Sequence, residues 1–257
     1  MHILFIGYGK TSQRVAKQLF AAGHQITSVS LSKKTDHFAH HLYQDVNTLD
    51  LTHIEPIDCV YILLSPKEDY NATYVQTAPQ ILDALSHHPV KRLIVVSSTR
   101  VYNGHVAQDI NDETPLKPSD EKGQLLQQME QLYQHAYGEK CVIVRPTGIY
   151  GTSVARMIKL AQTTQTYTQC HWSNRIHIDD LSGFLASLAT QKTVRQSYIA
   201  SDSVPYPLHE IILWFQQQLE LPQLTYIPQQ ETGKKIKANH MQVTHTDCFK
   251  VYQSLLF

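Results

Sequence analysis

The chain has 257 residues, 42% hydrophobic and 17% charged, enough for one large domain or a main domain with a small appendage. Its 22 basic and 22 acidic residues cancel, so no global field draws it to DNA, RNA or an anionic membrane. The four cysteines, Cys59, Cys141, Cys170 and Cys248, lie far apart without a CxxC pair, which excludes a disulfide framework or zinc ribbon and suits a reducing compartment. The 15 histidines form neither HxH nor HExxH, so no metal site is expected. The start, MHILFIGYG, has no basic leader or cleavage site, and its apolar run ends at Gly7, too short to cross a bilayer. A soluble cytoplasmic protein is expected.

Short β-branched apolar runs recur through the first half, at 2–7, 25–31, 58–65, 91–98 and 141–146, with a weaker run at 40–46. Continuous apolar strands of this kind are buried on both faces, as in parallel sheets. Helical patterns at 11–22, 70–85 and 120–137 lie between them; the link before 40–46 is too short for a full helix. Parallel neighbours need crossovers, so the alternation predicts an α/β, doubly wound parallel sheet. After Tyr150 the pattern changes: a short helix at 154–163, a strand turning into a helix near Asp179 and Asp180, a strand at 197–201 and an apolar helix at 208–219. The last thirty residues are poorly periodic. The expected division is a main domain over 1–150, to which 174–200 returns, and a small substrate lobe from 151–173 and 201–257.

The first strand runs into Gly7-Tyr8-Gly9-Lys10-Thr11-Ser12, a GxGxx(G/A) turn with serine in the third place. Gly7 permits the tight turn, and Gly9 lets a pyrophosphate approach the backbone. The third position, Ser12, must be small for helix–sheet packing. The following helix offers free N–H groups and a favourable dipole to the phosphates, so Lys10 and Thr11 join the expected cofactor site. The second strand ends Ser30-Leu31-Ser32-Lys33-Lys34, with no acid before Asp36. Ser32, Lys33 and Lys34 suit a 2′-phosphate, whereas a carboxylate here would select the free ribose hydroxyl, so NADP is expected rather than NAD. Asp45 and Val46, after the third strand, are placed to bracket an adenine.

GYGKTS, VSSTRVY (96–102), VRPTGIYG (144–151) and RIHIDDL (175–181) occur in this order along nearly the whole chain. Together they resemble the extended short-chain dehydrogenase/reductases, the NAD-dependent epimerase/dehydratase group, in an atypical shortened branch with a Rossmann-type sheet. The resemblance implies that Ser98 is the catalytic hydroxyl and that Tyr102 lines the substrate cleft. It implies that Arg145 and Pro146 close the strand flanking the nicotinamide, and that Thr147, Gly148 and Ile149 lie along the cofactor. His177 and Asp180 would tie the lobe to the main domain. Leu64-Ser65-Pro66 replaces a small Ala-Ala pair, giving a bulkier wall beside the cofactor. Thr99 and Arg100 stand where sugar-nucleotide dehydratases carry an acidic pair, which argues against dehydration.

Members of this group carry Tyr-x-x-x-Lys on the helix at 120–137. Aligning the acid that usually follows with Glu130 puts Lys122 and Leu126 in those places. The tyrosine serves as acid/base and the lysine lowers its pKa, which a leucine cannot do. Lys122 is then either a substitute base or a solvated surface lysine. Leu126 continues an apolar stripe with Leu125, Met129, Leu132 and Tyr133. The same resemblance implies a homodimer through the helices at 70–88 and 120–137. Two functions fit: an NADP-dependent oxidoreductase or epimerase-like enzyme with altered catalytic residues, acting on a carbonyl or nucleotide-sugar-like substrate, or a non-catalytic NADP(H)-binding sensor or scaffold. The GKKIK run (233–237) either holds an anionic substrate or is a solvated face.

Overall fold

A computed structural model of the chain describes residues 1–66, 69–241 and 246–256. The strands are β1 (His2–Ile6), β2 (Gln25–Ser30), β3 (His40–Tyr43), β4 (Cys59–Ile62), β5 (Arg92–Val96), β6 (Asp109–Ile110) and β7 (Cys141–Pro146). They continue as β8 (Gly148–Tyr150), β9 (Thr166–Ser173), β10 (Arg175–His177), β11 (Ser197–Ala200), β12 (Tyr206–Pro207), β13 (Thr225–Gly233) and β14 (Lys235–Ile236). The α-helices are α1 (Lys10–Ala21), α2 (Thr77–Leu85), α3 (Glu121–Tyr137), α4 (Ala155–Thr163), α5 (Ile178–Leu188), α6 (Leu208–Gln218) and α7 (Cys248–Leu256).

Seven strands form one parallel sheet in the order β11-β7-β5-β4-β1-β2-β3. Alternate side chains of its central strands enter two different cores. Leu4, Ile6, Val60, Ile62, Leu93 and Val95 pack with α2 and α3, through Ile81, Leu85, Leu126, Met129 and Tyr133. Ile3, Phe5, Cys59, Tyr61, Ile94 and Val142 pack with α1 and α5, through Val15, Leu19, Leu181 and Leu185. Burial on both faces is why these runs read as continuously apolar. The order reverses between β1 and β4, and the crevice outside the strand ends at such a switch point is where doubly wound sheets bind ligands.

The expected helix at 70–85 is broken. Asn71–Val75 form one wide π-helical turn, with the Gln76 N–H donating to the Asn71 carbonyl at 3.0 Å, before α2 begins. Pro79 lies in the first turn of α2, where it has no N–H to carry a helical ladder back to Val75. Past β8, the helices α4, α6 and α7 enclose a third, smaller core around Tyr150, Phe215 and Tyr252. A three-stranded sheet, β12-β9-β13, lies in the same region of the sequence. The tail therefore holds a nine-residue strand and a helix. Two short pairs bring the lobe back to the main body: β10 runs parallel to β8, and β14 runs parallel to β6. No helix among the described residues is long and apolar enough to cross a membrane.

Candidate active site

The turn after β1 has little steric freedom. Gly7 has φ +89°, and a Cβ there would sit 2.3 Å from the Leu63 carbonyl oxygen, so only glycine fits. Ser12 is buried and its Oγ donates to the Gly7 carbonyl at 2.8 Å, so the serine in the third place closes the turn with a hydrogen bond. Gly9 is the N-cap of α1; no side chain caps this end, and a Cβ on Gly9 would meet nothing within 4 Å. The first-turn N–H groups thus face open space, as an anion site requires.

That space continues into a cavity of about 310 Å³ over the ends of β1, β4, β5 and β7. Of the residues the sequence singles out, it brings together Gly9, Lys10, Thr11, Ser12, Leu64, Ser65, Pro146 and Ile149. It adds Ser97, Tyr74 and Leu181, which sequence reasoning missed. The Ser97 Oγ is buried without a hydrogen-bond partner, an unmet polar atom in the wall of the cavity. An uncapped helix start, a glycine with open space and a waiting hydroxyl fit a dinucleotide. Ser32 and Lys33 are exposed on the loop after β2, and Lys34 is half-buried, its N–H donating to the Tyr43 hydroxyl at 3.0 Å. Asp45 is exposed and its carboxylate accepts from the Asn47 N–H at 2.9 Å, while Val46 packs against the first core.

The implied catalytic set is not brought together. Ser98 caps the short 3-10 turn Thr99–Tyr102, its side chain accepting from the Arg100 N–H at 3.2 Å. Tyr102 does not line a cleft: it is 0% exposed in the first core, and its hydroxyl accepts from Arg145 at 2.9 Å. Arg145 turns away from the cofactor crevice as well, pairing with buried Glu130 at 2.7 Å. A charged guanidinium buried at this strand end needs a carboxylate, and Glu130 on α3 supplies it. Lys122 is exposed, with its Nζ 5.1 Å from the centre of the Tyr70 ring, in a depression separate from the cofactor cavity. Leu126 is 1% exposed in the core. His177 caps α5, and the Asp180 carboxylate accepts from the Thr246 hydroxyl at 2.7 Å.

A second cavity, of about 500 Å³, is lined by Thr99, Asn103, Thr147, Arg156, His171 and Lys234 among others. The same two strand-end segments, 96–99 and 146–149, wall both cavities, so the second adjoins the cofactor crevice. Among the described residues no Asp or Glu lines it. Burial lowers the pKa of His171, and Lys234 and Arg156 lower it further, so its neutral form is favoured. Lys234 is half-buried, and its ammonium donates to the Asn103 Oδ1 at 2.8 Å. Burial and the Arg100 charge pull its pKa down to about 8, against a smaller opposing pull from Asp120. The GKKIK run is therefore divided. Lys234 enters the cavity, Lys235 lies 4.3 Å from the centre of the Trp172 ring, and Lys237 is exposed. Its one local signal was Gly233, which ends β13 at φ +75° and sends the next residue inward.

A doubly wound sheet with an uncapped glycine turn at its switch point defines a dinucleotide-binding α/β protein. The chain belongs to the NAD(P)H-binding family, whose model matches residues 7–192. Over 115 residues it is 27% identical to Protein YeeZ of Escherichia coli (strain K12), a match that covers 45% of this chain and only 41% of that relative. Its fold resembles a candidate NAD-dependent epimerase/dehydratase from Methylobacillus flagellatus, with TM-score 0.86 and 27% identity over 99% of this chain and 97% of the other. It also matches UDP-glucuronic acid 4-epimerase from Bacillus cereus in complex with NAD, with TM-score 0.77 and 17% identity over 96% and 94% of the two chains. A dTDP-glucose 4,6-dehydratase from Bacillus anthracis in complex with NAD gives TM-score 0.75 and 16% identity over 94% and 89%. At such identities these last two speak for the fold alone.

Proposed function

We propose that the protein is an NADP(H)-dependent oxidoreductase or epimerase-like enzyme that works without the Tyr-x-x-x-Lys pair. Its substrate, a carbonyl or nucleotide-sugar-like compound, would occupy the second cavity. The observation that carries the reading is the adjacency of the two cavities: a dinucleotide crevice at the switch point shares the ends of β5 and β7 with a polar, cation-lined chamber. When bound, the cofactor supplies the hydride. Gly7, Gly9 and the α1 N-terminus would hold its pyrophosphate, and the unpartnered Ser97 hydroxyl would offer it a further hydrogen bond. A pure sensor has no need of a chamber with a half-buried amine next to the crevice.

The preference for NADP(H) rests on Lys33 and Lys34, with no carboxylate at the end of β2. Calorimetric titration of the full chain with NADPH and NADH tests it. NADPH should bind more tightly, and Lys33→Glu with Lys34→Glu should weaken NADPH roughly tenfold or more while leaving NADH little changed. Tighter binding of NADH by the unaltered chain would refute the cofactor choice, and no binding of either would remove the whole reading. Tight binding with no turnover across a broad carbonyl screen would favour the sensor.

A further inference from the structure

We propose that Lys234, contributed by the C-terminal lobe, is the proton donor and acceptor of this site, in the role that a helix tyrosine fills in the resembling enzymes. The inference rests on the oxidoreductase reading above. Its basis is a side chain held in place from several directions. Gly233 carries the left-handed backbone that starts the turn, and a Cβ there would meet the Trp172 carbonyl oxygen at 2.6 Å. Asn174 then clamps the backbone around the lysine: its Nδ2 donates to the Lys234 carbonyl at 2.7 Å, and its Oδ1 accepts from the Ile236 N–H at 2.8 Å. The ammonium donates to the Asn103 Oδ1, while the Asn103 Nδ2 donates to Asp120 at 3.0 Å. Asp120 thereby fixes which end of the Asn103 amide faces the lysine. An ammonium has three N–H donors, and only one has a named partner; among the described residues no salt bridge neutralises it. The others are available to a ligand in the cavity that Lys234 lines.

Burial, helped by the Arg100 charge and opposed by Asp120, brings the amine's titration closer to neutrality. Arg100 and Asp120 flank it behind Asn103, Arg156 and His171 share its cavity from α4 and β9, and His105 lines the same wall. Lys235 and Glu231 lie on its own segment and pair with each other at 3.3 Å. With a pKa about 8, Lys234 is mostly protonated at pH 7 and can still release its proton, which a solvated lysine near 10.4 does far less readily. A bound NAD(P)H would supply the hydride, which would form the new C–H bond at the substrate's carbonyl carbon and leave NAD(P)⁺. The C=O π pair moves to oxygen, which takes a proton from the Lys234 ammonium, giving an alcohol. The neutral amine regains a proton from water, and the reverse sequence oxidises an alcohol.

Two measurements on the full chain test this. Competitive acetylation with acetic anhydride between pH 6 and 10, read by mass spectrometry, needs no cofactor. Lys234 should reach half-maximal labelling near pH 8, well below the roughly 10.4 of a solvated lysine side chain. Asp120→Asn, which keeps a helix-capping side chain, should move that midpoint down by removing the charge that favours the ammonium. A Lys234 that tracks the surface lysines, or is unlabelled throughout, overturns the proposal. The second measurement is NADPH oxidation with 4-carboxybenzaldehyde and 4-nitrobenzaldehyde as probes. Lys234→Met and Lys234→Arg should each lower kcat/KM roughly a hundredfold or more and abolish the fall in rate as pH rises through about 8. Full activity in Lys234→Arg would mean a fixed charge suffices, and the proposal fails. Tight cofactor binding with no oxidation by the unaltered chain across a broad screen of carbonyl and nucleotide-sugar substrates sinks the oxidoreductase reading, and the lysine's role with it.

Discussion

Removing the Glu130 carboxylate tests whether Arg145 belongs to the fold or to the cofactor site. The Glu130 side chain is 1% exposed and that of Arg145 is 7% exposed, with N···O contacts of 2.7, 3.1 and 3.2 Å. In Glu130→Ala the guanidinium keeps the Tyr102 hydroxyl at 2.9 Å but loses its counter-charge. Stranding a buried charge in this way costs about 3–5 kcal/mol. That is a large part of the roughly 5–15 kcal/mol that holds a typical domain together. At roughly 2–4 °C per kcal/mol, the melting midpoint should fall by about 6–20 °C. Urea unfolding followed by circular dichroism gives the free energy, provided the denaturant slope is unchanged. Glu130→Met combined with Arg145→Met replaces both charges by apolar groups and should recover most of the loss. The double variant should bind NADPH with an affinity close to that of the unaltered chain. A loss under about 1 kcal/mol in Glu130→Ala would refute the buried-pair argument. A tenfold loss of NADPH affinity in the double variant would show that Arg145 reaches the cofactor after all.

Gly7→Ala and Gly9→Ala should separate folding from binding. Gly7→Ala meets the Leu63 carbonyl and a positive φ, and thermal unfolding should show a loss of at least about 1–3 kcal/mol. Gly9→Ala meets nothing within 4 Å, so stability should change by less than about 0.5 kcal/mol while NADPH affinity falls about tenfold or more. Equal loss of stability in both variants would refute the distinction. Acid unfolding should report on Asp120. Burial raises its pKa, but hydrogen bonds from Arg100, Gly123 and Asn103 outweigh this and bring it from 3.8 to about 2. A depressed carboxylate contributes stability above 3.8 that disappears as pH falls toward 2, so Asp120→Ala should flatten the acid limb over that window. The same variant should cost about 1 kcal/mol at neutral pH through the lost cap on Gly123. An acid limb unchanged in urea midpoints would count against the depressed pKa.

The central sheet was legible because its strands are buried on both faces, which leaves a continuous apolar run in the sequence. The lobe strands were not. β13 has no fully buried residue and β9 has none either, so neither shows the alternation that marks a half-buried strand. The glycine turn was readable residue by residue, because Gly7 and Gly9 each answer a local steric demand. Which serine of Ser97-Ser98 enters the crevice depends on where β5 stops and the next turn begins, a matter of one residue at an element boundary. Tyr102 shows the same limit. Its hydroxyl finds Arg145, 43 positions later, and only the folded chain makes that partner available.

The start of α3 ties the two halves of the site together. Lys122 and Leu126, which the resemblance aligns with the acid/base pair, are placed apart, one exposed over Tyr70 and the other closed into the core. Leu126 is 1% exposed within the first core, so a charge returned there would be buried, and restoring the pair means repacking that core. The contribution of α3 to this region comes from the cap at its start. Asp120 accepts from the Gly123 N–H at 2.7 Å and from Arg100 at 2.9 Å through Oδ1, and from Asn103 through Oδ2. One carboxylate thus starts the helix, restrains the segment after β5 and orients the amide that receives Lys234. Under the proposed chemistry, the helix orients the proton-transferring group without carrying it, and the lobe supplies that group from the far end of the sequence.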